Sequence, residues 1–429
     1  MRTAENLCEK LRILLISNYF PPEIGSAAHL YYTLAKHLVK RGHEVTVLTG
    51  VPRYNVDTKV YDEYLNRMGR AEYLLEELDG IRVIRTKLPL VERKKLFRRG
   101  IEHFEIAYRM WNVYKRVDEP KATDVSLVYS PPLPLFWTAR KIRERNGTPF
   151  ILNVQDLYPQ APIDLGVLKN KLIIKFFRAV EKEAYKSADL ITVHSQNNKE
   201  FVERVMGWHD SDKVIVFENW VDDDLVTPGE KHNEFARKMG LLDKFVVSYA
   251  GTLGFSQDVQ VVLRAAQRLE QFDDIVFLFV GDGVRKAEVE KTVRELGLKN
   301  VKILPTVPHD VYVEVLRASD ISLATLQKSV LTPVVPSKIL SIMSAGIPVI
   351  AAVNPNNDSV GLIKKANCGL TVNAGDYEGL SEAILKLYRD KALREQMGKN
   401  GRKYIEENLS AKKAAQKYEE VFYVLAKRR

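Results

Sequence analysis

LRILLISNYFPPEIGSAAHLYYTLAKHLVKRGHEVTVLT, residues 11–49, decides the fold class. LRILLIS (11–17) is a short apolar run of the kind found in strands covered on both faces. From Ser26 to Arg41 apolar residues recur at helical spacing, and HEVTVLT (43–49) reads as a second strand. Strand, helix and strand in succession predict a parallel, doubly wound α/β sheet. The loop between the first strand and the helix carries two prolines, a glycine, a serine and a histidine, more restriction than turning the chain requires.

Working outward, the alternation continues through IRVIRT (81–86), VSLVYS (125–130), FILNVQD (150–156), LITVHS (190–195) and VIVFEN (214–219). A polar stretch with Pro228 and Gly229 (222–244) then breaks it. It restarts at FVVSYAG (245–251) and runs through IVFLFVGDG (275–283), VKIL (301–304), ISLATL (321–326), PVIAAV (348–353) and GLTV (369–372), and three helices close the chain. Two Rossmann-like domains are expected, residues 1–225 and 226–409. Ligands in such sheets bind beyond the carboxyl ends of the strands, so two facing domains predict a cleft between them.

The bulk numbers narrow the class. The chain has 429 residues and a 45% apolar fraction, enough for ordinary cores. Its two cysteines, Cys8 and Cys368, lie far apart, which argues against a disulfide framework and for a reducing interior. Residues 1–17 lack the form of a signal peptide, and no run reaches the ~20 apolar residues of a membrane span. A cytoplasmic protein is expected. The net charge of +10 favours anionic partners. IRVIRTKLPLVERKKLFRR (81–99) sets eight Lys/Arg against one Glu, and an amphipathic aromatic helix follows it. Residues 81–117 are therefore expected to dock on an anionic membrane surface; a merely solvated basic face is the competing reading.

Anion sites are sought where strands deliver helices. Gly25 would let the backbone approach a ligand and Ser26 would cap the helix, with His29 one turn on. SYAGTLGFSQD (248–258) places Gly251, Thr252 and Gly254 after a strand. VGDGVRK (280–286) places Gly281, Asp282 and Gly283 before Arg285 and Lys286. Neither is a dinucleotide fingerprint, and tight-turn glycines are the alternative. In TPVVPSKILSIMSAGIPVI (332–350), Pro336 precedes Ser337, an expected N-cap, and Lys338 falls in a first helical turn, where the dipole disfavours a cation unless an anion joins it. Asp156, at the end of FILNVQD, stands where a catalytic group sits in such sheets or else caps the next turn. His194 and Ser195 are candidates to line the cleft. Asp222–Asp224 resemble a D-x-D metal site, but they open a linker, and no metal is expected.

Several stretches together resemble glycosyltransferase family 4, of the two-Rossmann GT-B fold: residues 18–50, NVQDLYPQAPIDLGVLKN (153–170), VPSKILSIMSAGIPVIAAV (335–353), ANCGLTVNAGDYEGLSEAI (366–384) and LREQMGKNGRKYIEENLS (393–410). The closer likeness is to the branch of N-acetyl-L-fucosamine and colanic-acid glycosyltransferases. The resemblance implies retaining transfer of a sugar from a nucleotide donor, UDP-linked rather than GDP-linked, with no further cofactor. The donor would lie on the C-terminal domain and a glycan or polyprenyl-diphosphate-linked acceptor on the N-terminal one. The last helix (about 410–429) would pack back on the N-terminal domain, and the protein would sit peripherally at the inner face of the cell membrane. Site roles follow: Asp156 and His29 catalytic; Gly25, Ser26, Gly251, Thr252, Gly254, Arg285, Lys286, Pro336, Ser337 and Lys338 for the donor's diphosphate and sugar; Gly281, Asp282, Gly283 and Ser341 for the nucleoside. The chain departs from the family where two glutamates are usual, having Pro333 and Ser341, and where Arg and Lys are frequent, having Thr252 to Gln257. Lys338, Arg285 and Lys286 are the candidates to replace that charge. The rival enzyme class is a nucleotide-sugar 2-epimerase of the same architecture. A nucleic-acid binder would need a recognised binding module, and none is present.

Overall fold

A computed structural model of the chain describes residues 9–54, 56–90, 96–117 and 123–427, with only the backbone of 96–99. Two compact units result. One comprises the chain up to Pro159, Lys169–Glu218 and the closing helix that starts at Ala411; the other comprises Gln160–Leu168 and Asn219–Ser410.

The first unit is built on eight strands: β1 (Arg12–Ile16), β2 (Glu44–Gly50), β3 (Tyr73–Leu78), β4 (Ile81–Thr86), β5 (Val125–Ser130), β6 (Phe150–Val154), β7 (Leu190–Val193) and β8 (Val214–Val216). Their order is β3-β4-β2-β1-β5-β6-β7-β8. All pairings are parallel except β3 with β4, an antiparallel edge hairpin that the apolar-run reading misses. Its signal was present: Asp79 and Gly80 both take positive φ (52° and 75°), as a two-residue hairpin turn demands.

The second unit carries β9 (Phe245–Ala250), β10 (Ile275–Val280), β11 (Val301–Leu304), β12 (Ile321–Thr325), β13 (Val349–Val353) and β14 (Gly369–Asn373) in the order β11-β10-β9-β12-β13-β14, all parallel. Every residue of β9 is buried. Phe245, Val247 and Tyr249 join one apolar cluster, while Val246 and Ala250 join another on the opposite face. Burial on both faces explains why these strands read as continuous apolar runs, each large side chain contributing roughly 1.5–3 kcal/mol.

The closing helix (Ala411–Ala426) packs on the helix Ser26–Lys40. Buried Glu419 accepts from Arg41 Nε (2.9 Å) and from His43 Nε2 (2.8 Å). His43 Nδ1 accepts from Leu11 N, which fixes the proton on Nε2. Tyr418 stacks on Phe217, ring centroids 3.9 Å apart.

Residues 81–117 do not present one continuous outward face. Ile81, Val83, Ile84, Arg85 and Leu88 are buried in the sheet and its core rather than facing outward. Residues 91–95 lie outside the described residues. The helix Leu96–Val117 buries Ile106, Ala107, Met110 and Val113 and leaves Ile101, Phe104 and Tyr108 exposed.

Candidate functional site

In the second unit, the loops after β9 and β10 are locked together at the carboxyl end of the sheet. Gly251 N donates to Val280 O (2.8 Å), Leu253 N to Asp282 O (2.9 Å) and Arg285 N to Leu253 O (3.0 Å). A Cβ on Gly281 would lie 1.9 Å from Gly251 O, and one on Gly283 would lie 2.3 Å from Leu253 O; both residues take positive φ. Glycine at 281 and 283 is thus required by the contact of two backbones. Gly254 N donates to Gln257 Oε1 (2.9 Å). The N–H groups of Gly251 and Gly254, expected to face a diphosphate, are therefore committed within the protein.

Cationic charge lies beside these loops. Lys338 opens the helix Lys338–Ser344, and its Nζ is buried 3.6 Å from the centroid of the Tyr249 ring. It makes no hydrogen bond among the described residues. The tip of Lys338 lies 3.4–3.5 Å from where a Cβ on Gly251 would stand. Burial pushes its pKa down to about 7. A cation–π contact is worth about 2 kcal/mol when desolvated and offsets only part of burying an ammonium. No carboxylate among the described residues pairs with it. Ser337 makes no capping bond and has helical φ and ψ, so the expected N-cap is absent.

The other expected donor residues differ in how committed they are. Arg285 Nη1 donates to Glu288 (2.9 Å), which also accepts from Gln260, while Arg285 Nε is buried without a hydrogen-bond partner among the described residues. Lys286 is half-buried at the start of its helix, and Thr252 is exposed. Asp282 accepts from its neighbour Gly283 N. Half-buried Ser341 is hydrogen-bonded to Tyr312, whose hydroxyl burial pushes up to about 12. The loop before Lys338 is anchored by Gln327 N to Ser256 O (2.8 Å), Asn354 Nδ2 to Val330 O (2.7 Å), and Thr332 to Asp164. Pro336 O accepts from Ile339 N. Asp222, of the three-aspartate run, accepts from Leu225 N in a turn. No group of three or more metal-ligating side chains occurs among the described residues.

In the first unit, Gly25 is the N-cap residue of Ser26–Lys40, with extended φ and ψ (164° and 160°). Nothing lies within 4 Å of where its Cβ would be. Neither backbone conformation nor packing demands glycine there. Ser26 is the exposed first helical residue and provides no side-chain cap, contrary to expectation. His29 is half-buried one turn later, its N–H donating to Gly25 O.

Buried side chains, more than the prolines, hold this loop. Glu23 accepts from the N–H groups of Phe20, Arg53 and Tyr54 (3.1, 3.0 and 2.9 Å), and burial pushes its carboxyl up to about 6. Arg53 donates to Asn18 Oδ1 (3.1 Å), Pro89 O (2.9 Å) and Glu102. Arg85 donates to Pro21 O and Gly50 O. None of these three was legible as a loop support; Arg85 reads as one more charge in a basic run.

Asp156 follows β6, with β5 between it and β1. Its side chain is accessible and makes no hydrogen bond or ion pair among the described residues, so it is not a turn cap. Crowding by protein raises its pKa. Burial first, and then the neighbouring Asp156 carboxylate, raise the pKa of Tyr129 of β5. His194 is buried, donates from Nε2 to Gln155 O (2.9 Å), and is held neutral by burial, which pushes its pKa down to about 4. Ser195 caps the helix Gln196–Met206 and is structural.

Two family models divide the chain between them: glycosyltransferase family 4 matches residues 27–225 and the group 1 glycosyl transferases match residues 231–404. WcaI of Escherichia coli (strain K12), assigned as a colanic acid biosynthesis glycosyl transferase, is 24% identical over 360 residues, 78% of this chain and 82% of that protein. Among solved structures, sucrose-phosphate synthase from Thermosynechococcus elongatus superposes with a TM-score of 0.75 at 17% identity, covering 98% of this chain and all of that one. HepE of Anabaena in complex with UDP and glucose gives 0.68 at 16% identity, covering 96% and 99%. At such identities these structures speak for the fold, two parallel-sheet α/β domains of the GT-B type. With both halves matched, the chain belongs to glycosyltransferase family 4.

Proposed function

We propose that the chain moves a sugar from a nucleoside diphosphate, UDP rather than GDP, to a glycan acceptor carried on a polyprenyl diphosphate, with retention at the anomeric carbon and without a metal ion. In this reading residues 226–409 hold the donor and residues 1–225 the acceptor. The work belongs to cell-surface polysaccharide synthesis at the cytoplasmic face of the cell membrane, where the acceptor-holding half docks on anionic lipid. The observation that carries the reading is Lys338, whose buried Nζ has no hydrogen-bond partner among the described residues, beside the Gly251 loop. Transfer builds negative charge on the departing diphosphate, and a preorganised cation in a dry site stabilises that charge far better than one in water. Lys338 supplies the charge that family members frequently place at 252–257, with Arg285 Nε as a second donor. Asp156, accessible and uncommitted, steadies the positive charge developing at the anomeric carbon or orients the acceptor hydroxyl. The bare Gly25 leaves room for the transferred sugar. Support for the substrate classes comes from WcaI, named for colanic acid synthesis, and HepE, whose structure holds UDP and glucose.

The test is to incubate the purified chain with UDP-sugars, with and without a lipid-linked glycan acceptor, and to follow products by NMR. UDP release that requires acceptor, with the α or β configuration of the donor kept, is the expected result. An epimerised nucleotide sugar from donor alone, or no binding of any nucleoside diphosphate, overturns the proposal.

A further inference from the structure

The helix Lys171–Ser187 carries an apolar surface that the transfer reaction does not use. Leu172 is 79% exposed and Phe176, one turn on, is 53% exposed. The inner side of the same helix buries Phe177, Ala184 and Tyr185, so the outward pair is a second apolar stripe and not the core-facing one. A parallel case lies on the helix Leu96–Val117, where Ile101 and Tyr108 are each 58% exposed and Phe104 stands between them. The two stripes meet: the rings of Phe104 and Phe176 lie 5.9 Å apart. Beside them a groove of about 600 Å³ runs down to Pro134, Trp137 and Val180. Its one lining carboxylate, Glu183, is paired with Arg140. Scattered exposed apolar residues need no explanation, but a contiguous aromatic patch does.

The charge around the patch says what covers it. Lys169, Lys171 and Lys175 are exposed, and no hydrogen bond or ion pair holds them among the described residues. They crowd the first turns of a helix that has no acidic residue in its first turn, where the dipole disfavours cations. Elsewhere on the same helix Arg178 does have a carboxylate, Glu181. A second copy of this chain would bring lysines against lysines. Large apolar side chains projecting between unpaired lysines match an anionic lipid leaflet, with the side chains in the acyl boundary and the ammonium groups at the headgroups.

We infer that the helices Leu96–Val117 and Lys171–Ser187 form one membrane-docking face, in which Leu172 and Phe176 insert into an anionic bilayer and Lys169, Lys171 and Lys175 engage its headgroups. This rests on the membrane part of the proposed function and extends its anchor from residues 81–117 to a second helix. The test is co-sedimentation of the full chain with vesicles of phosphatidylcholine alone or mixed with phosphatidylglycerol, at low salt. Wild type should bind the mixed vesicles only. The Leu172→Ser/Phe176→Ser variant should lose at least about tenfold in partitioning, with UDP binding unchanged and the chain still folded, since Leu172 is exposed and Phe176 gives up only its ring contacts with Phe104 and Phe177. A Phe176→Trp variant should show blue-shifted emission that brominated lipid quenches. If wild type ignores anionic vesicles, the membrane reading itself fails, and this face with it. If wild type binds and the double variant binds equally, the Lys171–Ser187 face is wrong while membrane docking stands. If the double variant instead turns a dimer into a monomer, a second copy covers the patch and the inference falls.

Discussion

The protonation of Lys338 offers the sharpest test of the donor site. Its pKa in the free protein is pushed from 10.5 to about 7 by burial. One pKa unit corresponds to about 1.4 kcal/mol, so the displacement is worth roughly 5 kcal/mol. A diphosphate that recovers about 3 kcal/mol of it gains a factor of about 150 in affinity. The sign follows from linkage. An anion binds the ammonium form, so UDP raises the pKa, to about 9 for about 3 kcal/mol recovered. Above pH 7 binding must draw in a proton that the free site has lost. The dissociation constant should be flat from about pH 6 to 7, rise about tenfold per unit to about pH 9, and level off. Lys338→Met should bind UDP about 150-fold more weakly at pH 6.5 and show no such slope, converging on wild type at high pH. Lys338→Arg stays charged throughout and should also lack the slope. Without ligand the unfolded chain binds the extra proton, so folding stability should rise between pH 7 and about 10. Isothermal titration from pH 6 to 9.5, in two buffers of different ionisation heat, measures both affinity and proton uptake. A wild-type affinity that does not change between pH 7 and 9, or a Lys338→Met affinity equal to wild type at pH 6.5, would refute the reasoning.

Three further outcomes are expected. Gly25→Val should cost no more than about 1 kcal/mol of stability, from the poorer N-cap, and leave UDP affinity unchanged, because a Cβ there meets no protein atom within 4 Å, while turnover falls at least about tenfold; equal losses in binding and turnover would contradict the assignment. Gly281→Ala, placing a Cβ against Gly251 O at positive φ, should destabilise by roughly 2–4 kcal/mol and weaken UDP binding together, as denaturant titration with and without UDP will tell. Glu419→Ala leaves Arg41 and His43 without their shared acceptor and should lower stability by about 1–3 kcal/mol in the same assay, with UDP affinity unchanged.

Much of this protein is local in origin. Continuous apolar strands alternating with amphipathic helices dictate parallel sheets covered on both sides, because strands buried on both faces have no polar side to show. The antiparallel hairpin at Asp79-Gly80 is equally local, but its signal lies in the turn residues and not in an apolar run. Lys338 could be singled out because a cation at a helix start is a local inconsistency that a ligand can resolve. Packing alone decided the rest. The sequence cannot tell a glycine that faces a ligand from one pressed against backbone: Gly25 looks into open space, whereas Gly281 and Gly283 are filled from behind by the neighbouring loop. It cannot tell Arg85, buried under the opening loop, from a surface arginine in a basic run, nor mark Tyr249 as the ring beneath Lys338. Such roles depend on which distant backbone or side chain arrives at the same point, and residues 64 or 89 positions apart, as Arg85 is from Pro21 and Lys338 from Tyr249, leave no periodic trace of meeting. Local propensity settled the elements and their order; the closeness of chains remote in sequence settled which residues are free to act.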